Sequence, residues 1–270
     1  MTFFDRFKKK DSGSEQKAFE DARFPGEPRD GFKSKEYYLA HLKRIEDWLA
    51  EVEEKVQDDP DARERSYIIT EGHRDQRVRL LYVLRADEQE VRDAALSYLR
   101  NLQGLAHAQS VGERSELTGN LVYRALAFAT LFDFEPDDIS FLQDELVNEK
   151  YVDASMDLLR NALFKGRAST DKDFYFKDTG YFGDVTTATD GLMLAIRAEG
   201  QEERSAEFAK FLKNVKEKHY RRLLKHYEEV GEQRYVYTGS YDFRFTAVAK
   251  ALGIDKDALA DSKFIAVDLM

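Results

Sequence analysis

The chain has no cysteine and only 4 prolines in 270 residues. Without cysteine there are no disulfides, no thiolate nucleophiles and no cysteine-ligated metals, and the chain suits a reducing compartment. With so little proline, long stretches run uninterrupted between breakers, which favours helices over many short strands. No stretch approaches the roughly 20 consecutive apolar residues that a membrane span requires. Catalytic patterns are missing too: there is no Gly-x-Ser-x-Gly elbow, no phosphate-cradling glycine loop and no His-Glu-x-x-His. None of the 5 histidines follows a glutamate by three residues, so the Glu-x-x-His pairs of di-iron bundles are absent. His219 and His226 fall on one helix face but lack further ligands, and they read as surface or interface histidines. Glu53-Glu54-Lys55 contains the Glu-x-Lys of nuclease sites, but it lies at a helix end among other acids and reads as a solvated charge run. Neither a metal nor a cofactor is expected.

What the chain does have is apolar mass and negative charge. Hydrophobic residues make up 42% and aromatics 13%, enough to bury a substantial core and to exclude a mainly disordered chain. Lys and Arg number 42 against 52 Asp and Glu, a net charge of −10. That balance repels nucleic acid phosphates; it either attracts a basic protein, such as a nuclease built to hold DNA, or serves only to keep the chain soluble. The opening segment carries Phe3, Phe4 and Phe7 before Lys8, Lys9 and Lys10. It lacks the apolar region of a signal peptide and reads as an arm.

Periodicity fills most of the chain with helices. Residues 11–34, rich in Gly, Pro, Ser and charge, read as a loop-like lead-in. Tyr38, Leu42, Ile45, Leu49, Val52 and Val56 then recur at alternating spacings of four and three, one apolar stripe. Asp58-Asp59-Pro60 ends that helix. The next covers about 61–85, with Tyr67, Ile68, Val78, Leu81 and Leu84 as core contacts and Gly72 marking close packing or a kink. A third carries Val91, Ala95, Tyr98, Leu102 and Leu105, and a fourth Leu117, Leu121, Ala125, Phe128 and Phe132.

From Asp133 to Glu149 the chain has no Lys or Arg, but it has Asp133, Glu135, Asp137, Asp138, Asp144 and Glu145. Pro136, Asp137 and Asp138 suit a first helical turn, which accounts for part of this acidity. Val152, Met156, Leu159 and Leu163 mark another helix. A packed aromatic loop over 166–183 precedes helices near 184–198, 202–217 and 219–230. The last helix is expected to run from Phe243 to Leu252, with Asp242 as N-cap and Gly253 as the residue that stops it. Asp255 is expected to cap a short terminal helix. The predicted fold class is all-α, a bundle of packed antiparallel helices in two halves. Residues 1–34 form the arm and lead-in, 35–134 an N-terminal helical domain and 135–270 a C-terminal one.

The stretch Tyr235-Val-Tyr237-Thr-Gly239-Ser-Tyr241-Asp242-Phe243-Arg244, continued through Ala247, Ala249, Lys250, Leu252, Gly253 and Asp255, is distinctive. It resembles the C-terminal signature of the PoNi family, immunity proteins that protect bacteria from PoNe-type DNase toxins. The ending Asp255-Lys-Asp-Ala-Leu259 with Val267-Asp268-Leu269 is similar to that family's as well. More loosely, so are Arg74, Tyr82, Tyr98 and Leu99 on paired helices. The chain departs from the family pattern where Tyr241 stands for a common Trp and Arg244 for an acidic residue, and where the usual proline before the final Asp-Leu is missing. If those positions touch the toxin, the departures point to a different toxin subtype or to a different toxin altogether.

The resemblance implies an acidic cytoplasmic protein, not an enzyme, that neutralises a cognate nuclease delivered by a secretion system in interbacterial competition. Its net charge argues against direct nucleic-acid binding, and no membrane span is expected. The toxin-contact candidates are Asp133, Glu135, Asp137, Asp138, Asp144, Glu145, Tyr237, Tyr241 and Arg244. Gly239, Asp242, Gly253 and Asp255 are read as shaping the signature. The residues leave homodimer formation open. A helical adaptor for another partner and an all-α enzyme with unfamiliar residues are the alternatives.

Overall fold

A computed structural model describes residues 19–57, 59–111, 119–142, 154–164, 186–215, 239–262 and 264–270. The chain is all-α: helices α1 (Lys35–Lys55), α2 (Pro60–Val83), α3 (Glu88–Val111), α4 (Gly119–Leu131), α5 (Pro136–Ile139), α6 (Ala154–Leu163), α7 (Thr186–Arg197), α8 (Gln201–Val215) and α9 (Phe243–Leu252) pack against one another. Short 3-10 turns lie at Ser140–Leu142, Asp257–Leu259 and Val267–Leu269, and the described residues contain no strand.

Local chemistry explains where the helices start and what they bury. Ser34 caps α1 by accepting a bond from the Tyr37 amide, and the stripe Tyr38, Leu42, Ile45, Leu49 and Val52 is buried. Asp59 caps α2 through the Ala62 amide, with Pro60 at the first helical position. In α4 the run from Ala125 to Leu131 is buried on every side, as are Phe243 to Ala249 in α9. Helices apolar all round belong at the centre of a fold, and α4 and α9 pack directly on each other. Around them α2 pairs with α1 and α3, while α6 packs on both α4 and α9. Residues on both sides of position 135 contribute to one continuous apolar cluster.

Four local expectations are corrected. The lead-in is not merely a loop: residues 19–23 are helical, Phe24 is buried, and Arg23 bridges Glu46 and Glu90. A single apolar anchor with a paired cation is enough to dock so short a segment. Ile68 is not a core contact but 63% exposed, with Ile69 exposed beside it. The buried face of α2 at that level runs instead through Ser66 and Thr70, where Thr70 donates to Asn101 at 2.8 Å and Asn101 to the Tyr67 carbonyl at 2.9 Å.

Gly72 marks neither close packing nor a break. The helix continues through it, and a Cβ there would meet nothing within 4 Å. The close approach belongs to Gly104 of α3, where a Cβ would fall on the Tyr67 ring. Finally, Asp255 does not cap a helix. Its carboxylate accepts the Asp257 amide at 3.0 Å in a side-chain turn, and the helix that follows is a 3-10 turn with Lys256 at its start and no side-chain cap. The arm at 1–10, the aromatic loop at 166–183 and the helix at 219–230, with His219 and His226, lie outside the described residues.

Candidate partner-binding surface

The acidic segment after α4 forms a corner. At its start Asp133 has a positive φ of 46°, a conformation that ends the helix and that a short polar side chain tolerates. Lys250 of α9 fixes this turn by donating to the Leu131 carbonyl at 3.2 Å and pairing with the Asp133 carboxylate at 3.1 Å. Lysine here satisfies a carbonyl that the helix end leaves without a partner. Phe132 and Phe134 point inward, and Arg92 of α3 stacks over the Phe134 ring while donating to the Phe132 carbonyl at 3.2 Å. The apolar pair therefore anchors the corner and turns the acids outward.

Asp133 is 81% exposed at its side chain despite the Lys250 contact. Glu135 and Asp137 are exposed and have no cationic partner among the described residues. Asp138 meets Arg100 at only 3.9 Å across an exposed gap, a pair that contributes little. This part of the corner thus presents more negative charge than it neutralises. Asp144 and Glu145 lie outside the described residues.

The C-terminal stretch forms a joint rather than an exposed tip. Gly239 has a φ of 107°, and a Cβ there would strike Val83 of α2, so both conformation and space require glycine. Next to it the Ser240 amide donates at 3.2 Å to Asp30, which also accepts the Tyr38 hydroxyl at 2.9 Å and the Phe32 amide at 3.2 Å. Asp30 is itself buried and ties the lead-in, α1 and the joint together. Tyr241 is half-buried, edge-on to Tyr82 with centroids 5.1 Å apart, and its carbonyl accepts from Arg79 at 3.2 Å. Its hydroxyl pKa is pushed up by burial and by the negative charge of Asp30. The tail closes the joint from the other side. Asp268 pairs with Arg29 at 2.5 Å and accepts from the Tyr82 hydroxyl, and the Ala266 amide donates to Thr246 at 3.0 Å. Tyr237 lies outside the described residues.

Behind the joint lies a buried array of charges. Asp242 caps α9 through the amides of Arg244 and Phe245 and also receives the Arg244 guanidinium at 2.6 Å. Burial pushes the Asp242 carboxyl up, but the Arg244 and Arg79 charges and the hydrogen bonds outweigh it and hold the pKa at about 2. Arg244 is only 9% exposed, so its guanidinium serves the cap rather than the surface. Asp75 pairs with Arg79 at 2.9 Å and Arg124 at 3.4 Å, and these cations overcome burial to keep its pKa below the usual range. Glu71 accepts from Tyr98 at 3.2 Å and meets Arg124 at 3.4 Å; there burial prevails over the cation and the pKa rises.

Guanidinium–carboxylate contacts tie α4 to α2, the Tyr98 hydroxyl brings in α3, and Arg79 reaches the Tyr241 carbonyl just before α9. The chemistry of the array is that of a structural lock, with no activated nucleophile. At the far end of α9, Gly253 adopts φ 66° and its amide bonds back to the helix. Sequence reasoning missed Asp30, Asp75, Glu71 and Arg124. The signal it passed over was a charge at helical spacing inside an apolar run, as with Arg124 between Tyr123 and Ala125. Among the described residues no group of His, Asp or Glu is placed to hold a metal ion, and no helix is long and apolar enough to cross a membrane.

Comparison with known proteins shows what this chain is similar to. Residues 155–269 match the family model described as PoNe immunity proteins (PoNi), C-terminal. The matched span takes in α6 to α9, the joint and most of the tail, well beyond the stretch that carries the sequence resemblance. Among solved structures, the crystal structure of protein PA2201 from Pseudomonas aeruginosa superposes with a TM-score of 0.56 at 14% identity, covering 95% of this chain and 94% of that one. The likeness shows a shared fold along nearly the whole length. No curated protein matches the sequence.

Proposed function

We propose, from the match of residues 155–269 to the family model of the PoNe immunity proteins' C-terminal domain, that the chain binds and neutralises a cognate nuclease toxin by direct contact, without catalysis. The family match carries this reading, and the acidic corner supports it. A nuclease must present positive charge to hold DNA, so it meets the exposed carboxylates of Asp133, Glu135, Asp137 and Asp138 favourably. Asp144 and Glu145 extend the same acidic run in sequence. Complementary charge of this kind raises the association rate and selects the partner more than it sets final affinity. Tight binding needs partly desolvated aromatic anchors, a role we assign to Tyr241 and Tyr237. Arg244 contributes by holding the Asp242 cap and so the position of Tyr241. The protected compartment is the cytoplasm of the cell that the secreted toxin enters.

Co-expression tests the proposal. A bacterium producing the nuclease encoded beside this chain should survive only when the chain is also produced, and the two should co-purify. Survival without a complex, or a complex without survival, would contradict neutralisation by direct contact.

A further inference from the structure

A groove of about 360 Å³ opens between α1, α2 and α3, lined by residues that belong to neither the corner nor the joint. Its floor is apolar, from Leu49, Ala50 and Ala94. One wall carries Glu46 and Glu53 of α1, the other Arg74 and Arg77 of α2, with Ser97 of α3 below. The groove is large enough for a small acid or a single side chain.

Its hydrogen bonding is unbalanced. Each guanidinium offers five N–H donors. Arg74 donates to Ser97 at 2.5 Å and to Glu53 at 2.8 Å, but its Nε is buried with no acceptor. Arg77 donates only from Nε, to Glu46 at 3.2 Å, among the described residues. Glu46 is also engaged by Arg23 at 2.9 Å, so its capacity to serve Arg77 is divided. The Arg74 Nε is enclosed and out of a ligand's reach, but the terminal nitrogens of Arg77 have no acceptor among the described residues, and a ligand bringing oxygen atoms into the groove would supply one. The two partners of the Arg74–Glu53 ion pair also differ in exposure. Glu53 is 61% exposed at its side chain whereas Arg74 is 16% exposed, so the acid can swing into water while the guanidinium stays. Exposed ion pairs are weak and are readily exchanged.

We propose that this groove is an oxyanion site in which Arg74 and Arg77 receive a carboxylate or phosphate group in place of Glu53. Glu53 occupies the position as an internal stand-in, and the apolar floor accepts the carbon chain of a small acid. The planar guanidinium fork suits either oxyanion, and Ser97 fixes the Arg74 fork in place. The site is independent of toxin binding and needs no partner protein for its test.

The test titrates the full chain, labelled with nitrogen-15, with sodium succinate and separately with sodium phosphate, holding ionic strength constant with sodium chloride. The Arg74 Nε–H resonance, assigned by its loss in Arg74→Lys, should shift saturably with at least one of the two. Saturation by succinate names a carboxylate ligand; saturation by phosphate alone names a tetrahedral one. Glu53→Gln removes the competing charge at an exposed position and should tighten binding about two- to five-fold. If Arg74→Lys fails to fold, that variant carries the test. Shifts that match sodium chloride alone, or binding unchanged or weakened in Glu53→Gln, would overturn the proposal.

Discussion

Gly72 and Gly104 lie one helix apart and have opposite uses. Gly72 sits inside α2 with open space where a Cβ would go, so it contributes only the entropic cost of glycine in a helix. Gly72→Ala should therefore stabilise the protein by about 0.5–1 kcal/mol, read as a raised urea midpoint at constant m-value. Gly104→Ala places a methyl group on the Tyr67 ring and should lower the midpoint, because the ring must leave its packed position. Equal effects of the two changes would contradict this reading. Sequence alone shows a glycine inside each helix but not which one faces a neighbour, since that depends on what the opposite helix brings to the same level. For the same reason Ile68 reads as core: the stripe is legible, but polar contacts between Thr70 and Asn101 rotate the buried face away from it.

Helix α9 shows what is legible at the scale of an element. Its ends were readable from local chemistry, because an Asp before an apolar run and a Gly after it each meet a backbone requirement on the spot. Its energetics were not, because they depend on Arg79, which lies far from α9 in sequence. Asp242→Ala should cost about 3–5 kcal/mol, since it removes the cap and leaves the Arg244 charge buried without its partner. Replacing Asp242 and Arg244 together by uncharged residues should recover a large part of that loss, measured by thermal or urea unfolding; a fully additive double variant would contradict the pairing. The pH dependence has a definite sign. The Asp242 pKa falls from an ordinary 3.8 to about 2 on folding, so its contribution is fully present above about pH 4. That contribution should be lost as pH falls from about 4 through 2, and Asp242→Asn should flatten this part of the stability profile. A profile unchanged by the substitution would show that other carboxylates govern acid unfolding.

For the whole molecule, an α-helical fold with a C-terminal joint presents an acidic corner, which the proposed function assigns to the encounter with a basic protein. The helical class and the family resemblance could be read from stripes, breakers and one motif. That most of the motif is a buried joint could not, because its partners Asp30, Val83 and Asp268 come from distant parts of the chain. The corner acts by long-range field, so its effect should depend on salt. Glu135→Lys combined with Asp137→Lys should slow association with the toxin about tenfold or more at low ionic strength, with the difference shrinking as salt is added. Stopped-flow or surface-based kinetics give that rate directly, and an unchanged rate at low salt would remove the corner from the encounter. The central claim is tested most directly by titrating the purified cognate nuclease with this chain while following both heat of binding and DNA cleavage. The account predicts an equimolar complex whose formation abolishes cleavage at the same stoichiometry. A nuclease that cuts DNA undiminished in saturating amounts of the chain, or that releases no binding signal, would contradict it.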